Sequence, residues 1–263
     1  MLGMARAALK RGWDVLAWNF RACSDEPNRH LYSYHSGSTD DLALVTRYAA
    51  SKGYSELAQV GFSIGGNKTI RYLSIHKDTL PDQLIGAVVF SVPCDLTSSS
   101  LLLARPANAL YMKNFLVSLR GKLEAKQRLY PDEIDLSGFS RIRTFKEFDD
   151  RYTAPINGFR DAEDYWAKSS SAPHIPTVAR PVLMISAEDD PFLTPSCFPH
   201  REVGSNALVQ LEKTRFGGHV GFMTGNRAGE YWSETRALEY LQSLSRLEGA
   251  VTAGGAAFPT PAA

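Results

Sequence analysis

Apolar residues in this chain cluster in two rhythms that alternate over the first third and return near the end. Leu2, Ala5, Ala8 and Leu9 share one face of a helical register, and Gly12 stands where a C-terminal cap would. Trp13 to Phe20 is a short, mostly apolar run that predicts a buried parallel strand. Thr39-Asp40-Asp41 puts acids at the start of a helix running from Leu42 to Ala50 and stopping near Gly53. Leu57–Phe62 predicts the next strand, Ser63 to about Ile75 a helix, and Ile85–Ser91 a third strand stopped by Pro93. Such alternation calls for a parallel sheet wound by right-handed crossovers.

The rhythm breaks after Cys94. Residues 95–171 carry no strand pattern and are rich in apolar and aromatic positions, among them Leu101, Leu110, Phe115, Phe145, Phe148, Tyr165 and Trp166. This segment reads as a helical cap inserted into the sheet domain, and caps of this kind line substrate pockets and limit water. The sheet resumes at Val182–Ser186 and Ala207–Leu211, and Glu230–Leu247 makes a closing helix. The expected organisation is therefore a core in two parts, 1–94 and 172–248, a cap at 95–171 and a disordered Gly/Ala/Pro-rich tail at 249–263.

Composition changes this picture little. The chain has 263 residues, 44% hydrophobic and 22% charged, enough for one sizeable core. A net charge of +1, from 29 basic and 28 acidic residues, gives no reason to expect a nucleic-acid partner. Cys23, Cys94 and Cys197 form no C-x-x-C pair, which argues against a disulfide framework and fits a reducing compartment. The histidines show no metal-ligand spacing, and no cofactor is expected. Charged and polar breaks between Leu101 and Leu119 exclude a membrane span there, and the N-terminus lacks the core of a signal peptide. The expectation is a cytoplasmic protein, with transient membrane-surface contact allowed and the oligomeric state open.

The chemistry concentrates at Gly61-Phe62-Ser63-Ile64-Gly65-Gly66-Asn67, a Gly-x-Ser-x-Gly pattern between a strand and a helix. That context builds a tight elbow with the serine hydroxyl at the carboxyl edge of the sheet. Gly61 and Gly65 are expected to be required because a side chain at either would collide with the turn. The Ile64 N–H would face an oxyanion. A serine needs a base, and the base a carboxylate, in the chain order Ser, Asp, His. Asp189-Asp190-Pro191-Phe192 follows one strand, and Gly217-Gly218-His219 follows the last. Asp190 is preferred to Asp189 because it stands immediately before Pro191 and the apolar anchor Phe192; Asp189 would then bind a backbone N–H. Taken singly, the acids could be turn formers and His219 a loop residue. His35, His174 and His200 read as structural or surface residues, and the sequon Asn67-Lys68-Thr69 lies inside the elbow helix, where glycosylation is dismissed.

With these residues in view, the sequence resembles the YheT-like branch of the α/β-hydrolase superfamily, also called the AB hydrolase 4 or embryogenesis-associated group. The matching stretches are Asn19-Phe20-Arg21 with Cys23-Ser24 and Glu26-Pro27-Asn28-Arg29, Tyr34-His35-Ser36-Gly37 with Asp40-Asp41, the elbow, Phe148-Asp149-Asp150, Asp189-Asp190-Pro191-Phe192, and Gly217-Gly218-His219-Val220-Gly221-Phe222. The resemblance implies an α/β-hydrolase fold and a serine hydrolase of carboxylic esters, with Ser63, Asp190 and His219 as triad and short-chain esters, acylglycerols or phospholipids as substrates. The cap's apolar character favours an acyl chain over a charged substrate. Acyl transfer to alcohols on the same triad and a non-catalytic binding protein are the alternatives. Two departures stand out. Ala22 and Asp25 replace glycines of the family pattern, and the first strands of that pattern, with the loop that donates a second oxyanion N–H, are not found before the first helix, so the chain looks truncated at its start.

Overall fold

A computed structural model describes residues 2–24, 26, 28–223 and 229–251, the last six as backbone only. Four strands, β1 (Leu57–Phe62), β2 (Leu84–Phe90), β3 (Val182–Ala187) and β4 (Val209–Thr214), lie side by side in that order, all parallel. Helices α1 (Leu2–Lys10), α2 (Asp40–Ala50) and α3 (Ile64–Ile75) precede β2; α4 (Leu96–Leu103), α5 (Ala109–Leu129), α6 (Phe145–Phe148), α7 (Ala154–Ile156) and α8 (Ala162–Ser169) separate β2 from β3; α9 (His200–Gly204) and α10 (Trp232–Val251) complete the set. No residue between 91 and 181 forms a strand.

Every residue of β2 and β3 is buried, because helices cover both faces. Side chains alternate between the faces. Val89, Val182 and Met184 pack with Ile70 and Leu73 of α3 and with Leu42 of α2, whereas Val88, Phe90, Leu183 and Ile185 pack with Ala7 of α1 and Leu241 of α10. Burying each of these larger side chains stabilises the fold by about 1.5–3 kcal/mol. The helices of 96–169 hold two further apolar clusters, one around Leu116, Leu123, Phe139 and Phe148, the other around Leu96, Ala162 and Trp166.

Three expectations need correction. Trp13–Phe20 has no regular secondary structure and is not a strand. No described segment pairs with it, and Val15 and Leu16 stand 41% and 48% exposed. A strand is completed by a ladder partner, and an apolar run without one gains no cross-strand hydrogen bonds. The run is anchored instead by Trp13 and Trp18, which pack partly buried against opposite faces of the sheet. The closing helix runs on to Val251, past the expected end at Leu247, and the rest of the expected tail, residues 252–263, lies outside the described residues. The third correction concerns Gly65 and belongs with the elbow.

Candidate active site

Three loops that leave the carboxyl ends of β1, β3 and β4 meet above the sheet. Because the strands are parallel, those ends share one rim. Ser63 directly follows β1 at φ 52° and ψ −121°, a sparsely populated positive-φ conformation that costs a side-chain-bearing residue about 1–3 kcal/mol. Its N–H donates to the Phe90 carbonyl at 2.8 Å and its carbonyl accepts from Asn67 N at 3.1 Å, so the bend is fixed on both sides. A side-chain carbon on Gly61 would lie 2.8 Å from Gly66 N, and one on Gly66 would lie 2.6 Å from Val92 Cγ2. At Gly65 the nearest atom would be Phe20 Cζ, 4.0 Å away. The elbow therefore needs Gly61 and Gly66, not Gly65: the helix turns Gly66 onto the end of β2 and leaves room beside Gly65.

The Ser63 hydroxyl donates to His219 Nε2 at 2.8 Å. His219 Nδ1–H donates to the Asp190 carboxylate, at 2.9 Å to Oδ2 and 3.1 Å to Oδ1. This assignment of protons follows from the carboxylate being an acceptor only. The Asp190 side chain is fully buried and also accepts from Phe192 N at 2.9 Å. The Phe192 ring lies 4.5 Å, centre to centre, from the imidazole and holds its face. Asp189 takes a different part. Its Oδ1 accepts from Gly217 N at 2.9 Å and Gly218 N at 2.8 Å, which ties down the loop that carries His219. Gly217 packs so tightly that a side-chain carbon there would sit 2.6 Å from the Phe222 ring. Ile64 opens α3, so its N–H has no acceptor within the helix and is available at the rim.

Asn67, the sequon asparagine, is wholly buried and donates to the carbonyls of Ser36 and Ser169 at 3.0 and 2.9 Å. That bond pattern ties the elbow helix to the loop before α2 and to the end of α8, and it leaves no access for a glycan.

A cavity of about 290 Å³ opens over the Ser63–His219 pair. Leu96, Leu103, Phe115, Phe145, Phe148 and Phe192 give it an apolar wall. The sequence did not point to its polar wall, which comes from Tyr34 and His35 in the loop before α2, Lys122 and Lys126 on α5, and Asp149. From the sequence, His35 reads as a structural or surface residue. It lines the cavity, and burial, helped by the charges of Lys68 and Arg71, pushes its pKa down to about 4, so the ring is neutral at neutral pH. Asp149 sits in a π-helical turn, Asp149–Thr153, and accepts from Trp166 Nε1 at 2.8 Å; burial raises its pKa to about 6. Non-α turns of this kind are frequent at functional sites. Periodicity could not separate these wall residues from ordinary helix and loop positions. Ala22 also lines the cavity at φ 57°, which gives a backbone reason for glycine at this place in the family pattern. Asp25, the other departure, lies outside the described residues.

His174 and His200 are not among the residues that line the cavity. His174 joins Arg71 and Ser74 in a separate hydrogen-bonded cluster. Among the described residues no group of three His, Cys, Asp or Glu side chains could hold a metal ion, and no helix is long and apolar enough to cross a membrane. All three cysteines are free.

The profile of the alpha/beta hydrolase fold family matches residues 2–225. The Escherichia coli (strain K12) protein YheT, an esterase by its name, is 35% identical over 243 residues, covering 91% of this chain and 71% of that protein. Embryogenesis-associated protein EMB8 of Picea glauca is 30% identical, with 92% and 54% covered, and Phospholipase ABHD3 of Mus musculus 29% identical, with 86% and 55% covered. The chain thus spans about half the length of the spruce and mouse relatives. Among solved structures, the Pyrococcus furiosus esterase Pf2001 superposes with a TM-score of 0.59 at 17% identity, covering 93% of this chain and 75% of that one. A Paleococcus ferrophilus monoacylglycerol lipase gives 0.53 at 16% identity, with 92% and 87% covered. At such identities the likeness is one of fold.

Proposed function

The chain belongs to the α/β-hydrolase family, on its YheT-like branch, and from that premise we propose that it hydrolyses carboxylic esters through Ser63, His219 and Asp190. The observation that carries this reading is the unbroken hydrogen-bonded path from the Ser63 hydroxyl through both imidazole nitrogens to a buried carboxylate. The names of relatives, an esterase and a phospholipase, agree with it.

As Ser63 Oγ attacks the ester carbonyl carbon, its proton passes to His219 Nε2, and the carbonyl π electrons move to oxygen. The oxyanion accepts from the Ile64 N–H at the head of α3, where the helix dipole adds a favourable field. Asp190 stabilises the imidazolium and keeps Nε2 aimed at the serine. Collapse breaks the carbon–alkoxy bond, and the Nε2 proton leaves on the alcohol. Water then attacks the acyl-enzyme, giving its proton to His219; the carboxylic acid departs and Ser63 is restored. The apolar wall of the cavity suits an acyl chain, and its volume suits a small or medium one.

The test is a p-nitrophenyl ester series together with a fluorophosphonate probe. Labelling and turnover should both be present in the native protein and absent in Ser63→Ala, with turnover lower by roughly 10⁵–10⁶. Equal labelling of the two proteins would reject the reading.

A further inference from the structure

The polar wall of the cavity is unbalanced in charge. Lys122 and Lys126, one turn apart on α5, both line it, and Lys126 is buried. Neither ammonium has a carboxylate within ion-pair distance among the described residues. Lys126 is spent on structure: its ammonium donates to the carbonyls of Asn28 and His30 and straps that loop to α5. Lys122 is not. It donates to Cys23 Sγ at 2.9 Å and to the Tyr34 hydroxyl at 3.3 Å, and the third N–H of the ammonium has no acceptor among the described residues. A thiol is a weak acceptor, and a phenol facing an ammonium can turn its own O–H outward as a second donor. The one acid on the wall, Asp149, is held by Trp166 Nε1. His35 is neutral. Lys68, on α3, adds positive charge from behind, over the Phe20 and Tyr34 rings at 4.4 and 5.4 Å. Lys122 lies 4.8 Å from the centre of the same Tyr34 ring.

A partly buried ammonium with an unused donor, set in an apolar wall with no counter-charge among the described residues, is a strong local attractor for an anion. The wall belongs to the cavity that holds Ser63 and His219, so the attracted group and the scissile ester are parts of one molecule. We propose that Lys122 Nζ, with the Tyr34 hydroxyl, forms an anion site, and that the preferred esters carry a phosphate or carboxylate on the part remote from the scissile bond. This rests on the ester-hydrolase reading, and it changes the expectation drawn from the apolar cap: an acyl chain fits the phenylalanine side of the cavity while a charged group meets the α5 side.

The experiment compares three esters with the same acyl group and scissile bond: 1-hexanoylglycerol, 1-hexanoylglycerol 3-phosphate and 3-hexanoylglycerate. At low salt the charged esters should exceed the neutral one in kcat/KM by about 10- to 100-fold, and added salt should shrink that ratio. Whichever charged ester leads separates phosphate from carboxylate. Lys122→Gln should bring the ratio near one through KM, and Lys122→Arg should restore much of it. A neutral ester preferred by the native protein, or a ratio unmoved by Lys122→Gln, overturns the proposal. Calorimetric titration of the native protein with glycerol 3-phosphate against glycerol reads the site without any variant and without turnover; equal absence of binding also overturns it. Binding of glycerol 3-phosphate with no hydrolysis of any of the three esters would instead sink the ester-hydrolase reading and leave the anion site standing.

Discussion

At the sheet end of the cavity, polar groups are matched one to one. The serine hydroxyl, both imidazole nitrogens and the Asp190 carboxylate each meet a partner, and Asp189 secures the loop beneath. At the α5 end, two ammonium groups face an otherwise mostly apolar cavity, with carbonyls, a thiol and a phenol for company. The two ends differ because they are built differently. The rim is assembled from turns at strand ends, where backbone bonds leave little freedom. The wall comes from one long helix and one irregular loop joined by side chains. The difference teaches that the Ser63–His219–Asp190 chain is fixed by the protein's own hydrogen bonds, whereas the proposed anion site leaves charge on the wall for a ligand to complete.

The largest break in this comparison comes from separating the two neighbouring acids. Asp190→Asn should cut kcat by about 10³–10⁴, because the imidazole loses the acceptor that sets its tautomer. Asp189→Asn should cost only about 10–100-fold, since it loosens the His219 loop without touching the ring. Steady-state kinetics on one p-nitrophenyl ester would decide it, and equal losses would erase the distinction drawn between them.

On the wall, Asp149 offers a test by pH. Its folded-state pKa of about 6 lies above the ordinary aspartate value of 3.8, so its protonated form stabilises the fold at low pH and that stabilisation is lost as pH rises through 6. Asp149→Asn keeps an acceptor for Trp166 and does not titrate. Relative to the native protein, the variant should gain on the order of 1–3 kcal/mol between pH 4 and pH 7. Urea unfolding at the two pH values measures this; a difference that is flat with pH would refute it.

The smallest effect belongs to Ala22, in the loop between the two ends. Ala22→Gly relieves a left-handed alanine and, after the entropy gained by the unfolded chain, should raise stability by about 0.5–1 kcal/mol. A thermal melt shows it as a modest rise in Tm.

Much of the core was legible in the sequence. The runs around Val88 and around Met184 announced strands because residues buried on both faces must be continuously apolar, and the half-buried run Leu57–Phe62 was marked by the glycine-rich turn that follows it. Ser63, His219 and the Asp189–Asp190 pair were legible because each follows a strand end in a parallel sheet. The cavity wall was not. Lys122, Tyr34 and His35 are distant in sequence from the elbow, and their roles depend on which way a helix and a loop are turned. Trp13–Phe20 looked like a strand for the same local reasons as β1, but it has no described neighbour to pair with.

The sequence by itself determined most of the elements, their order and the residues able to do chemistry, Trp13–Phe20 apart, because apolar rhythm, glycine and strand-end position are local properties. Tertiary structure alone decided which glycine the elbow needs, whether the run Trp13–Phe20 finds a strand partner, and where positive charge faces the cavity. Those are questions of distance between parts of the chain far apart in sequence, and only packing sets such distances.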